Sequence, residues 1–99
     1  MNALATEATD YVAKENISQL TFPKEDVLVD EIAKIERKKR VERAMRLGNT
    51  RKSKVRIIFE DVEGKKTVET TIWGVTEKNI ILKQTTIIPI RRIHEIKFF

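Results

Sequence analysis

Eleven cations crowd the stretch from Lys34 to Arg56 against only two acids, Glu36 and Glu42. A run of guanidinium and ammonium groups attracts phosphate oxygens, and the affinity it confers falls with added salt because binding releases counterions. Arg37, Lys38, Lys39, Arg40, Arg43, Arg46, Arg51, Lys52 and Lys54 are therefore the candidate nucleic-acid contacts. On a helix, Lys34, Arg37 and Lys38 lie near one another, while Arg40 and Arg43 are almost one turn apart, so charge covers much of the girth. A plainer role competes with this one. Residues 1–33 carry seven acids and two bases, and the block either neutralises that acidic segment or solvates an exposed helix.

Other chemistries find less support. His94 is the sole histidine. It sits beside Glu95 where strand neighbours point to opposite faces, so the two do not form a pair and a structural or surface role is expected. Glu60, Asp61 and Glu63 offer hard oxygen ligands, but their spacing fits no calcium loop and a solvated turn accounts for them. The three glycines are too far apart for a phosphate-cradling loop. With no cysteine there is no disulfide, thiolate metal site or thiol nucleophile. The expectation is a protein without catalysis, metal or cofactor. Trp73, Phe98 and Phe99 provide flat surfaces on which bases stack, Trp73 being a possible base contact, although such rings more often belong to a core or its lid.

The elements that position these residues divide the chain in three. At 99 residues and 40% hydrophobic composition it suffices for one domain with a single core. It shows neither a signal-peptide pattern nor an apolar run of membrane-spanning length, so a soluble cytoplasmic bacterial protein is expected. Residues 1–22 form an acidic segment, with Leu4, Ala8, Tyr11 and Val12 at helical spacing and Thr6 or Thr9 as caps. Residues 23–48 form a basic helix. Pro23 suits its first turn, Glu25 and Asp26 complement the dipole, and Gly48 terminates it. Leu28, Ile32 and Ile35 share one face, Val41, Ala44 and Met45 roughly the opposite one. The polar stretch 36–40 between them marks either a break or a girdle, and its good helix formers favour a continuous helix.

Residues 49–99 read as five short strands. Val55, Ile57 and Phe59 alternate with Arg56, Ile58 and Glu60, then turn at 61–64. A second strand covers 66–75 and turns at 76–79, a third covers 80–83, and a fourth, 86–88, stops at Pro89, which has no donor for the ladder. Residues 90–92 make one tight helical turn before the last strand, 93–99. The fold expected is α+β, with N-terminal helices followed by a five-stranded antiparallel small barrel or strongly bent sheet.

That layout, with the segment Thr76, Glu77, Lys78, Asn79, Ile80, Ile81, Leu82, resembles the Sm-like and SH3-like small barrels over residues 55–99. The resemblance implies that Asn79 contacts an RNA base. Glu69 and Thr70 stand where that family bends on a glycine, and no Lys-His pair follows Pro89. The whole chain also looks like short conserved proteins of Bacteroidetes bacteria. The leading functional expectation is a non-catalytic module binding RNA or DNA backbone through the basic helix and the strand entry after it. The alternative is a protein-interaction or self-association domain, motivated by the two-sided helix and by Ile96, Phe98 and Phe99.

Overall fold

The computed structural model describes residues 10–83 and 86–99. The expected first-helix positions Leu4, Thr6, Ala8 and Thr9, and the turn at 84–85, lie outside them. The elements are β1 (Asp10–Tyr11), a 3-10 turn (Lys14–Gln19), α1 (Glu31–Arg51), β2 (Val55–Asp61), β3 (Gly64–Thr70), β4 (Ile72–Val75), β5 (Asn79–Leu82), β6 (Ile87–Pro89), a second 3-10 turn (Ile90–Arg92) and β7 (Ile93–Phe98).

Alternation of apolar and polar residues sets the inner face of β2, where Val55, Ile57 and Phe59 are buried while Arg56, Ile58 and Glu60 are half-exposed. The hairpin to β3 closes on Gly64, whose φ of 138° suits only glycine. β2 pairs antiparallel with β3 on one side and with β7 on the other, and β1 adds in parallel to β3, so the order is β1-β3-β2-β7. A second sheet has the order β4-β5-β6. Inward residues of both sheets meet Ile17 and the helix residues Val41 and Ala44 in one core, and Phe22 tilts against Phe59 with ring centroids 6.0 Å apart.

The expected five-stranded barrel is not formed. The run 66–75 is divided at Thr71 into β3 and β4, which belong to different sheets, and among the described residues no ladder joins the two sheets into a closed cylinder. α1 instead packs against β4 and β7, an edge strand of each sheet. Among the described residues the arrangement is one long helix, preceded by a short strand and a 3-10 turn rather than by another helix, and followed by six strands. Tyr11, expected on a helix, lies in β1 because its backbone pairs with Thr67 of β3.

The helix begins eight residues later than expected and ends three later. Asp30 is its N-cap, extended at φ −73° and ψ 128°, its carboxylate accepting from the Ile32 and Ala33 amides. Residues 23–30 are an irregular connection, tied down by the Val27 amide donating to the Arg91 carbonyl (2.9 Å). There Asp26 caps the Leu28 amide (2.7 Å). Gly48 does not end the helix but lies inside it, where a Cβ would overlap the Ile72 carbonyl oxygen and stand 2.9 Å from Thr71 Cγ2. The terminator is Lys52, left-handed at φ 55°, whose amide donates back to the Gly48 carbonyl. The helix is continuous through residues 36–40.

Candidate nucleic-acid interface

At 100° per residue, Arg37, Val41, Ala44 and Gly48 fall on one ridge of α1, and this ridge is the buried one. An arginine on the inner ridge needs partners, and Arg37 has them. Its two terminal nitrogens donate to the Asp26 carboxylate at 2.9 and 2.8 Å, and one also donates to the Ile93 carbonyl at 3.1 Å. Burial pushes the Asp26 carboxyl up, but the hydrogen bonds from Arg37 and Leu28 and the charges of Arg37 and Lys34 outweigh it and hold the group below its ordinary value. Arg40 donates to the Ile96 carbonyl at 3.3 Å. Both arginines thus cap carbonyls of β7, the edge strand of its sheet, a device that protects an edge from stray pairing. Of these two expected contacts, Arg37 is buried among its partners, and Arg40, exposed, uses one nitrogen on a backbone carbonyl.

The other nominated cations distribute around the exposed girth. Lys39 and Arg46 point away from the sheets and Lys38 lies on the flank toward β4, all three exposed. Arg43 and Arg51 take the flank toward β7. There a groove of about 390 Å³ opens between the end of α1, the connection into β2 and the end of β7, lined by Arg43, Arg51, Ser53, Lys54, Phe98 and Phe99 and, among the described residues, by no carboxylate side chain. Arg43 stacks over Phe98 with its guanidinium carbon 4.5 Å from the ring centroid, and Arg40 stands 6.0 Å from the same ring. Lys52, exposed beside the groove, owes its outward position to the left-handed turn that ends the helix. Arg56, one residue inside β2, donates through Nε and Nη2 to one Glu69 oxygen (3.0 and 2.7 Å). Those bonds raise the pKa of its guanidinium further.

Neither Asn79 nor Trp73 lines this groove. Asn79 opens β5 in the other sheet, where its backbone closes the turn with Thr76: the Thr76 amide donates to the Asn79 carbonyl (2.8 Å) and the Asn79 amide to Thr76 Oγ1 (3.0 Å). Trp73 sits at a register shift in β4 and keeps 38% of its surface exposed. A larger cleft of about 490 Å³ beside the 76–79 turn is lined by Lys24, Arg37, Lys78 and Arg91 together with Asp26 and Glu77, so acid offsets half of the positive charge there.

Two other polar side chains have partners elsewhere in the fold. His94 Nε2 lies 2.7 Å from Glu60 Oε1 across the β2–β7 ladder, a partner that neighbour-by-neighbour reading missed because it is 34 residues away. The Asp61 carboxylate is almost wholly buried and receives Lys66 Nζ at 2.7 Å and the Glu63 amide at 3.1 Å. Burial pushes Asp61 up, but these bonds and the Lys66 charge hold it below its ordinary value. Among the described residues no group of three His, Cys, Asp or Glu side chains is placed to hold a metal ion, and no helix is long and apolar enough to cross a membrane. Comparison with protein-family models, curated proteins and solved structures finds no match to this chain.

Proposed function

We propose that the protein is a non-catalytic binding module that engages nucleic-acid backbone at the end of its basic helix. The observation that carries this reading is the groove at the α1–β2 junction, where Arg43, Arg51 and Lys54 converge and, among the described residues, no carboxylate side chain joins them. Lys39, Arg46 and Lys52 extend the charge along the exposed surface next to it, while Arg37 and Arg40 hold the helix to β7. Affinity in such a site comes from phosphates and is sequence-tolerant.

A titration of labelled oligonucleotide at two salt concentrations tests it. Three phosphate contacts give a log–log slope of about −2 for a single strand, a loss of roughly fifteenfold for a fourfold rise in salt. Binding that is absent, or that ignores salt, refutes the reading.

One observation favours a protein partner instead. Val29, Ile32 and Ile35 are 89, 69 and 54% exposed around the start of α1, an apolar cluster of the kind that marks an interface. Ile96, expected to join such a surface, is buried in the core. A solution mass measurement that finds a stable oligomer supports this second reading, and a strict monomer speaks against self-association.

A further inference from the structure

The outer face of the four-stranded sheet carries two exposed aromatic rings on either side of one pinned arginine. Tyr11 of β1 is 61% exposed and Phe99, just past β7, is 74% exposed. Between them stands Arg56, its guanidinium carbon 5.9 Å from the Tyr11 ring centroid and 5.1 Å from that of Phe99. The paired bonds to Glu69 fix the plane of that guanidinium, so the arginine is a rigid spacer rather than a mobile charge. Exposed rings held in place in this way forgo the burial that aromatic side chains ordinarily gain.

The rings continue the basic groove. Phe99 lines the groove with Arg43, Arg51 and Lys54 and also borders Arg56. Its neighbour Phe98 is half-buried beneath Arg43 and so less open to a ligand. A strand whose phosphates follow the groove is delivered to Phe99 and then, across Arg56, to Tyr11. Of the other charges on this part of the sheet, Glu69 is paired with Arg56, and the exposed Glu95 and Lys97 carry opposite sign.

Resting on the function proposed above, we infer that the Tyr11–Arg56–Phe99 face is a stacking platform for unpaired bases, so that the ligand is single-stranded nucleic acid rather than duplex. Aromatic faces accept any base and arginine planes add to the stack, whereas bases inside a duplex have no free face to offer. Cationic groove and aromatic face together form the two halves of a sequence-tolerant single-strand site.

The test uses the full chain and four labelled probes: oligothymidylate, its RNA counterpart oligouridylate, the same strand with abasic spacers in place of bases, and a duplex of equal length. The base-bearing strands bind roughly five- to hundredfold tighter than the abasic strand. Tyr11→Ser, at an exposed site outside the groove, reduces that advantage and leaves abasic binding and the salt slope unchanged, and Phe99→Ser, whose ring also lines the groove, removes more of it. Loss of RNA binding alone, or DNA binding alone, in the variants assigns the platform to that sugar. If wild-type protein binds abasic and base-bearing strands equally while remaining salt-dependent, the platform is refuted and the groove reading stands. If Arg43→Gln with Arg51→Gln leaves all binding intact, the groove reading falls. If no probe binds, both fall.

Discussion

Replacing Arg37 by methionine separates a structural role for this arginine from a ligand-binding one. Methionine keeps the unbranched stem that packs beside Val41 but removes both hydrogen bonds to Asp26 and the one to the Ile93 carbonyl. Breaking a buried ion pair from one side costs about 3–5 kcal/mol when the remaining charge is fully sequestered. Asp26 is only partly so: its side chain retains 24% exposure and the Leu28 amide. Arg37 Nε, buried without a hydrogen-bond partner among the described residues, disappears in the variant and offsets about 1 kcal/mol. The net loss is about 2–3 kcal/mol, which for a domain of this size lowers Tm by about 10–20 °C. The pH dependence has a definite sign. Because the folded Asp26 pKa lies below its ordinary value of 3.8, the stability it contributes is present above that value and is lost as pH falls through the folded one. The gap between wild type and Arg37→Met should therefore be constant near neutrality and shrink below about pH 4. Circular dichroism melts across pH, paired with an oligonucleotide titration at a temperature where both proteins are folded, read both properties. A variant with wild-type Tm and sharply reduced affinity would refute the structural assignment.

Two further substitutions probe the elements that shape the groove. Gly48→Ala gains about 1 kcal/mol of helix propensity, but the new methyl meets the Ile72 carbonyl and forces α1 off β4. Urea denaturation should show a net loss of about 1–2 kcal/mol, and a raised midpoint would contradict the close approach. Asp61→Asn leaves Lys66 with Glu63, 3.6 Å away, as its counter-charge among the described residues, and should cost about 2–3 kcal/mol. Because the folded Asp61 pKa is depressed, the wild type should lose its advantage as pH falls below 3.8, and stability curves that stay parallel to pH 3 would count against the pair.

Much of the strand layout was legible from local signals. The alternation from Val55 to Glu60, the turns at 61–64 and 76–79 and the stop at Pro89 each depend on residues only a few positions apart. The helix boundaries misled for the same reason. Pro23 and Gly48 carry ordinary start and stop signals, but Pro23 lies in the connection tied to Arg91 and Gly48 is the point where helix meets β4. The apparent switch of apolar face between Ile35 and Val41 reflects one inner ridge that includes an arginine, with Ile32 and Ile35 left exposed. The cations were visible by type, but their roles were not. Arg37 and Arg40 reach β7 residues 56 positions along the chain, and Arg56 acquires Tyr11, Glu69 and Phe99 as neighbours only when β1, β2, β3 and β7 lie side by side.

By itself the amino-acid sequence determined that the chain concentrates positive charge between Lys34 and Arg56 and that short strands follow, because charge is additive along a chain and strand periodicity is a property of a few consecutive residues. Tertiary structure alone decided that the strands split at Thr71 into two sheets, that two arginines anchor the helix, and that Arg43, Arg51 and Lys54 converge beside Phe98 and Phe99. The physical reason is that a buried guanidinium is tolerated only where carboxylate and carbonyl partners converge on it, and those partners come from distant segments brought together by the shared core.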